Sequence, residues 1–225
     1  VSNIYYSKKI SKNYKFYRVN TKDRLKIKKI IENEKPNVVI NFGADTHVDR
    51  SINKPTKFIR NNIEGSANLA LEFKDYLLRH NIKNYKFIHI STDEVYGSAN
   101  NKPFLEHQLL KPNSPYSSSK ASVDLLLRSF DKTYNFKSII LRPSNNFGPR
   151  QYHEKLIPLS IKLLNSGKKI NVYGNGKNKR EWLYVGDCVE TIYNFIESDI
   201  YDGIYNIGTG NLMSNLDILQ KICEI

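Results

Sequence analysis

The chain alternates short apolar runs with longer segments in which apolar residues recur every three or four positions. The short runs are rich in β-branched residues and predict buried strands over 37–44, 85–92 and 137–143. The periodic segments predict helices over 61–80 and 114–134, and Ser114 followed by Pro115 is a typical helix start. Strands that alternate with helices of this length predict parallel βαβ units. We therefore expect a doubly wound α/β sheet with ligands at the carboxyl ends of its strands.

The pattern becomes less regular after Pro143, but it still predicts further elements. These are a helix over 154–167, a strand and turn over 169–176, a helix over 185–198, a strand over 203–210 and a helix from 214 onward. Neither an internal repeat nor a low-complexity linker interrupts this order, so a single α/β architecture accounts for the chain.

Composition narrows the class of protein. Hydrophobic residues make up 40% and charged residues 25%, as in ordinary soluble globular proteins. No apolar run approaches the roughly 20 residues that span a bilayer, and the first residues lack the apolar core of a signal peptide. The two cysteines, Cys188 and Cys223, cannot form a disulfide framework and lack metal-ligand spacing. We expect a cytoplasmic protein with no membrane contact and no metal.

The formal net charge of +13 raises the question of a nucleic-acid partner. The basic residues are scattered, however, with only modest clusters at 26–29 and 175–180. A basic cleft for a diphosphate substrate explains this distribution better than a nucleic-acid surface does, so we expect no nucleic-acid partner.

Two adjacent carboxylates, Asp93 and Glu94, follow the predicted strand over 85–92. Adjacent side chains on an extended chain point to opposite faces. The pair is either a solvated acidic turn or an acid and a base that work together. The residues alone leave both interpretations open.

Tyr116 and Lys120 are spaced i, i+4 on the helix predicted to follow, so their side chains lie on one face. A lysine ammonium stabilises a phenolate and lowers the pKa of the phenol. Such a phenolate can take a proton from an alcohol while a hydride leaves the same carbon. Chance matches to this spacing are frequent in a chain with 15 tyrosines, so the pair needs support from other motifs.

Six motifs occur in order and supply that support. They are THVDRSI (46–52), STDEVYG (91–97), SPYSSSK (114–120), RPSNNFGPRQYHEKLIPL (142–159), VYGNGKNKREWLYVGD (172–187) and YNIGTGN (205–211). Together they resemble the nucleotide-sugar 4,6-dehydratases of the extended short-chain dehydrogenase/reductase superfamily, from about Tyr14 to the last residue. The resemblance implies an NAD-binding Rossmann-like core over 1–146. It also implies a smaller nucleotide-sugar-binding lobe over 147–225, with elements that return to the core.

The resemblance also implies a role for each catalytic residue. Tyr116 would deprotonate the sugar 4-hydroxyl, while Lys120 would hold the nicotinamide ribose and depress the tyrosine pKa. Glu94 would then remove the C5 proton, and a protonated Asp93 would donate to the departing 6-hydroxyl. Thr92 would hydrogen-bond the 4-oxygen. On this interpretation the adjacent carboxylates are an acid and a base with separated pKa values.

Binding residues follow from the same match. Cofactor contacts fall, besides Tyr116 and Lys120, on Phe42, Gly43, Ala44 and Asn146. Substrate contacts fall, besides Thr92, on Thr46, Asn61, Asn145, Lys155, Leu156, Asn171, Tyr173, Arg180 and Asn211. Arg180 is the strongest diphosphate ligand among them, because a guanidinium bonds phosphate oxygens bidentately.

The implied activity is NAD-dependent 4,6-dehydration of a nucleoside-diphosphate glucose to the 4-keto-6-deoxy sugar nucleotide, a lyase reaction. dTDP-glucose is expected ahead of UDP-glucose, and a homodimer is expected for the complete protein. The alternatives within the superfamily are a 4-epimerase and a decarboxylase. The presence of both Asp93 and Glu94 favours dehydration, since those relatives usually lack one of the two acids.

One part of the family pattern is missing. The chain has no G-x-x-G-x-x-G fingerprint, and its first glycine is Gly43. We therefore expect a fragment that lacks the first strand–helix unit and a C-terminal segment, or a non-catalytic remnant that keeps the fold. By itself the 225-residue chain should bind NAD weakly and show no turnover, while Arg180 and its neighbours should still bind dTDP or UDP.

Overall fold

A parallel sheet forms the centre of the computed structural model, which describes residues 13–98, 103–170, 172 and 174–224. The described residues form the strands β1 (Val38–Asn41), β2 (Lys86–Ile90), β3 (Ile139–Pro143), β4 (Asn145–Phe147), β5 (Lys179–Tyr184), β6 (Gly203–Ile207) and β7 (Leu212–Ser214). Strands β1, β2, β3 and β6 pair in that order, and all three pairings are parallel. The predicted parallel α/β sheet is confirmed.

Helices connect these strands. In chain order they are α1 (Arg24–Glu34), α2 (Val48–Asn53), α3 (Pro55–Phe58), α4 (Gly65–Arg79), α5 (Pro115–Tyr134), α6 (Leu156–Asn165), α7 (Val185–Glu197) and α8 (Asn215–Glu224). A π-helical stretch, Ile59–Glu64, joins α3 to α4, and a 3₁₀ turn, Asp93–Tyr96, follows β2. None of the described helices is long and apolar enough to cross a bilayer.

Both faces of the main sheet are covered. Successive strand residues point to opposite faces, so Phe87 and Ile140 join one apolar cluster with α1, α4 and α5. Ile88, Ile139 and Leu141 point the other way and pack with residues of α7 such as Ile192. Helices on both faces of a parallel sheet are the doubly wound arrangement expected from the sequence.

Helix α5 begins where the sequence predicts. The Ser114 hydroxyl accepts the backbone N–H of Ser117, and the Ser117 hydroxyl accepts the backbone N–H of Ser114. This reciprocal capping box satisfies donors that have no partner within the helix. The helix ends at Asn135, which adopts a left-handed conformation with φ 52°. The N-terminal turn of α5 is therefore fixed beside the end of β2.

A smaller sheet follows β3 directly. Strand β4 pairs in parallel with β5, and β5 pairs antiparallel with β7, whereas β6 returns to the main sheet. The prediction of a strand over 169–176 is wrong for its described residues, because Lys169, Ile170 and Val172 lie outside any strand. Residues 179–184 take the pairing positions beside β4 and β7 instead. The turn predicted at the end of that segment is present at Gly174 and Asn175.

The KIKK cluster at 26–29 lies on α1, a helix that the sequence analysis did not identify. Ile27 and Ile31 are buried against the core, while Lys26, Lys28 and Lys29 are exposed. These lysines form the solvent face of an amphipathic helix, which explains the cluster without a nucleic-acid partner.

Candidate active site

A cleft of about 560 Å³ opens at the carboxyl ends of β1, β2 and β3, where a doubly wound sheet binds its ligands. Its other walls come from the start of α5, from α6 and from the smaller sheet. The cleft brings together most of the predicted site residues: Phe42, Ala44, Thr46, Thr92, Glu94, Tyr116, Lys120, Asn145, Asn146, Lys155, Leu156 and Arg180. Elements more than a hundred residues apart in sequence therefore converge on one cavity.

Tyr116 and Lys120 lie on the face of α5 that lines the cleft. Both are buried, with 8% and 3% of their surface exposed. The backbone N–H of Tyr116 donates to Ser51 Oγ at 3.1 Å, which ties the start of α5 to α2. Lys120 Nζ donates to the backbone carbonyl of Ile90 at the end of β2. The predicted pair is thus held in place from two neighbouring elements.

The acid pair forms the start of the 3₁₀ turn after β2. Thr92 caps this turn, because its hydroxyl accepts the backbone N–H of Glu94 at 3.3 Å. The same hydroxyl donates to Asp93 Oδ1, also at 3.3 Å. Thr92 therefore contacts both acidic residues, and it lines the same cleft as Tyr116.

The two carboxyl groups differ in their electrostatic surroundings. Burial raises the pKa of Asp93 to about 6, and the charge of Glu94 contributes to that rise. Burial also raises the pKa of Glu94, but the cationic side chains of Arg180 and Lys155 oppose the shift. Arg180 opposes the shift of Asp93 as well, so the two surroundings differ in the charge of Glu94, which acts on Asp93, and in Lys155, which acts on Glu94.

The Tyr116 pKa is raised, which is the opposite of the direction expected from the sequence. Burial is the main cause and the charge of Glu94 adds to it, while the neighbouring Thr92 hydroxyl opposes them. Burial lowers the pKa of Lys120 to about 8, against the charge of Asp124. Burial thus favours the neutral form of both residues.

The basic residues reach the cleft from the smaller sheet and from the start of α6. Arg180 lies on β5, and Lys155 directly precedes α6. Both cations act on Glu94, so they lie within electrostatic range of the acid pair. The cleft therefore offers two cationic side chains, Arg180 and Lys155, of the kind that bind an anionic diphosphate.

Some predicted residues do not line the cleft. Within residues 13–98 and 174–224, these are Gly43, Asn61, Asp93 and Asn211. Asn61 donates its side-chain amide to Asp45 Oδ2 at 2.8 Å, so this group already has a partner, and Asn211 is exposed just before β7. Asp93 connects to the cleft through Thr92. The predictions for Asn171 and Tyr173 concern residues outside the described ones.

Several polar residues on the cleft wall were not identified from the sequence. His47 Nδ1, Ser144 Oγ, Gln151 Oε1 and Trp182 Nε1 are buried and have no hydrogen-bond partner among the described residues. Such atoms are typical of a surface that binds a polar ligand. Trp182 is two residues beyond Arg180 on β5 and shares its face, so identifying that strand would have placed it in the cleft.

The cleft residues fit one end of a dinucleotide. The ends of β1 and β2 bring Ala44 and Thr92 beside Tyr116 and Lys120, where a nicotinamide and its ribose would lie. The Gly-rich turn that would hold the pyrophosphate is not in the sequence, in which no glycine precedes Gly43. The fit is therefore to the reacting end of the cofactor.

Comparisons with known proteins agree with this architecture. A dTDP-D-glucose 4,6-dehydratase of Dictyostelium discoideum is 40% identical over 224 residues, covering 95% of this chain and 50% of that protein. The crystal structure of DesIV, a dTDP-glucose 4,6-dehydratase from Streptomyces venezuelae with NAD bound, matches with a TM-score of 0.88 at 32% identity, covering 95% of this chain and 64% of that one. A UDP-glucose 4-epimerase from Thermotoga maritima matches with a TM-score of 0.87 at 26% identity, covering 96% of this chain and 70% of that one.

The chain spans between half and about two thirds of the length of the first curated relatives it matches, with shares of 50%, 63% and 66%. A family model described as GDP-mannose 4,6 dehydratase matches residues 1–224. The resemblance drawn from the six motifs is confirmed by these matches. The chain belongs to the GDP-mannose 4,6 dehydratase family.

Proposed function

We propose that this chain carries the catalytic site of an NAD-dependent 4,6-dehydratase that acts on dTDP-glucose. The observation that carries the proposal is the acid pair: Asp93 and Glu94 both contact Thr92, which lines one cleft with Tyr116, and the surroundings of the two carboxyl groups differ. Elimination of water needs one group that takes a proton and one that gives a proton. An epimerase has no water to expel and needs no such pair.

The first step is oxidation of the sugar at C4. Bound NAD would accept a hydride from C4 and later return it to C6. Tyr116 takes the proton of the 4-hydroxyl, and Lys120 must be protonated to stabilise the resulting phenolate. Thr92 holds the 4-oxygen beside the tyrosine. Because the Tyr116 pKa is raised, the proton transfer depends strongly on that lysine charge.

The second step is loss of water between C5 and C6. The new 4-keto group acidifies the C5 proton, and Glu94 removes it. Asp93, whose pKa of about 6 keeps it protonated more readily than an ordinary aspartate, donates its proton to the departing 6-hydroxyl. The double bond between C5 and C6 is then reduced at C6 and protonated at C5 to give the 4-keto-6-deoxy product.

The diphosphate of the substrate would bind the positive wall of the cleft. Arg180 offers bidentate hydrogen bonds, and Lys155 adds a second cation from the start of α6. The choice of dTDP over UDP rests on the names of the Dictyostelium and Streptomyces relatives. The two bases differ by one methyl group, a difference that a pocket discriminates by roughly ten- to two-hundredfold.

We also propose a homodimer in the cytoplasm, as the family resemblance implies. Cys188 and Cys223 are both free thiols, which suits a reducing compartment. Size-exclusion chromatography with light scattering tests the assembly. A protein that stays monomeric at micromolar concentration would contradict the dimer without affecting the proposed chemistry.

Turnover tests the proposed function. The full-length gene product that contains these residues is incubated with NAD and dTDP-glucose, and the mass of the nucleotide sugar is measured by mass spectrometry. Loss of one water is expected, with UDP-glucose as a competing substrate. Tyr116→Phe should lower the rate of water loss about a hundredfold or more, which is the effect of losing a general base. The control Tyr134→Phe, at the exposed end of α5, should leave that rate unchanged. Absence of water loss in the unmodified protein would overturn the proposal.

A further inference from the structure

A layer of buried polar side chains lies within the sheet and α5, beneath the cleft. Asn41, His89 and Arg142 belong to the neighbouring strands β1, β2 and β3, and Asp124 belongs to α5. All four are at most 2% exposed. Asn41 lies opposite His89 in the strand register, on the face of the sheet that packs against α5. Burying polar groups costs free energy unless they hydrogen-bond to one another or belong to a functional site.

The hydrogen bonds fix the protonation of His89. The backbone N–H of Gly43 donates to Asn41 Oδ1 at 3.1 Å, which identifies that atom as the amide oxygen. The amide nitrogen of Asn41 then donates to His89 Nδ1 at 3.1 Å. His89 therefore carries its proton on Nε2, and burial holds its pKa well below the usual range, so the ring is neutral.

His89 Nε2 lies 3.9 Å from Asp124 Oδ1, beyond hydrogen-bond distance, and neither atom has a hydrogen-bond partner among the described residues. The other carboxylate oxygen of Asp124 accepts Arg142 Nε at 2.9 Å. Arg142 in turn donates to the Tyr96 hydroxyl at 2.7 Å and lies over the Tyr96 ring. Arg142 therefore holds one oxygen of the Asp124 carboxyl group inside the fold. Burial raises the pKa of Asp124, and the charges of Arg142 and Lys120 oppose that rise in favour of the carboxylate.

Lys120 lies one helical turn before Asp124 on the same face of α5. Its ammonium is removed from water, which favours the neutral amine and would disable the proposed role of Lys120 beside Tyr116. We propose that Asp124 is a positioning residue whose buried carboxylate keeps Lys120 protonated, and that Arg142 holds that carboxylate in place. The catalytic consequence rests on the proposed function, but the charge relationship does not.

The other groups around Lys120 do not supply this charge. Tyr116 is a neutral phenol on the same helix, and His89 on β2 is neutral. Arg142 on β3 is a cation and would oppose protonation of the lysine. Asp93 and Glu94 act on Tyr116, on the cleft side of Lys120. Asp124 is the carboxylate that acts on Lys120 in the described site.

The pH dependence of Lys120 labelling tests the proposal without any need for turnover. A primary amine reacts with acetic anhydride only when it is neutral, so the extent of brief labelling at each pH follows deprotonation of the amine. Peptide mass spectrometry reads Lys120 and, as an internal reference, the exposed Lys132 on the same helix. In Asp124→Asn the Lys120 curve should move to lower pH by about one unit or more, which is a tenfold gain in labelling near neutrality.

The matched control is Asp131→Asn, which removes a carboxylate from the same helix at a site paired with Lys137. Its Lys120 curve should coincide with that of the unmodified chain. Circular dichroism and thermal melting check folding. Asp124→Asn alone leaves Arg142 as an unpaired buried charge and could fail to fold. In that case Asp124→Asn is combined with Arg142→Gln, which removes both ions. The Lys120 labelling curve of the double variant should still lie at lower pH than that of the unmodified chain. The proposal would be overturned if the Lys120 labelling curves of the Asp124 variants coincided with those of the unmodified chain and of Asp131→Asn. This outcome would count against the proposal whether or not the protein is a dehydratase.

Discussion

Ser51 Oγ accepts the backbone N–H of Tyr116 at 3.1 Å and donates to the Val48 carbonyl at 2.6 Å. Tyr116 is the second residue of α5, and its N–H has no partner within the helix. Ser51, which is fully buried, supplies that partner from α2. This contact ties the start of α5, and with it the backbone of Tyr116, to α2.

Removing this contact should cost stability. Ser51→Ala leaves the buried N–H of Tyr116 unpaired, so we expect the free energy of unfolding to fall by about 1–3 kcal/mol in urea titrations. Ser129→Ala, at an exposed serine of α5, should change it by less than about 0.5 kcal/mol. Equal stabilities of the two variants would show that Ser51 does not support the start of the helix.

The raised pKa of Asp93 gives a pH-dependent prediction. Burial raises that pKa from 3.8 to about 6, so the folded protein binds this proton more tightly than the unfolded chain does. Stability is therefore lost as the pH rises from about 4 to about 6. Asp93→Asn removes the cost of burying the ionised carboxylate, which is paid only at high pH. The change in the free energy of unfolding caused by this variant should therefore be more stabilising at pH 8 than at pH 3, by about 1–3 kcal/mol.

The control for this measurement is Asp199→Asn, at an exposed aspartate beyond α7. Its effect on the free energy of unfolding should be the same at both pH values. If Asp93→Asn behaves like the control, the Asp93 carboxyl is not buried in the way that its proposed role as an acid requires.

Arg180 should dominate binding of the nucleotide diphosphate. In calorimetric titrations of the chain with dTDP, Arg180→Ala should weaken binding by about ten- to hundredfold, because it removes charge-assisted hydrogen bonds. Lys179→Ala is the matched control: Lys179 is the neighbour on β5, and its side chain points to the opposite face of the strand. Binding should weaken as salt rises. Similar losses in both variants would indicate a diffuse electrostatic effect in place of a specific ligand.

Glu94 should be required for loss of the C5 proton. In the full-length gene product in deuterium oxide, Glu94→Gln should stop both deuterium incorporation at C5 and loss of water, while oxidation at C4 remains available. Glu190→Gln, at an exposed glutamate of α7, should leave both unchanged. Normal deuterium incorporation in Glu94→Gln would remove Glu94 from the proposed mechanism.

The sequence predicts those elements whose local pattern agrees with their final environment. Strand β2 has the sequence KFIHI, whose apolar residues Phe87, Ile88 and Ile90 indicate a strand, and four of its five residues are buried. The start of α5 is indicated by Ser114 and Pro115. Strand β5 has the sequence KREWLY, and its first residues are exposed. With no apolar run or clean alternation to identify it, its position depends on pairing with β4 and β7, which local sequence cannot show.

The limits of prediction are similar in the site. The acid pair and the Tyr116–Lys120 spacing are visible as motifs, and the cleft contains all of these residues but Asp93, which it reaches through Thr92. The amide of Asn61 has Asp45 as its partner, a contact that depends on how the loop after β1 packs. The raised pKa of Tyr116 likewise depends on burial and on the position of Glu94 in space. Such effects arise from tertiary contacts.

Isotope transfer from C4 to C6 tests the central claim most directly. The full-length gene product is given NAD and dTDP-glucose that carries deuterium at C4, and the product is analysed by mass spectrometry and NMR. The proposed chemistry predicts a 4-keto-6-deoxy product with the deuterium in its C6 methyl group, since the hydride that leaves C4 returns to C6. Deuterium retained at C4 of an epimerised sugar, or a product that has lost no water, would contradict it.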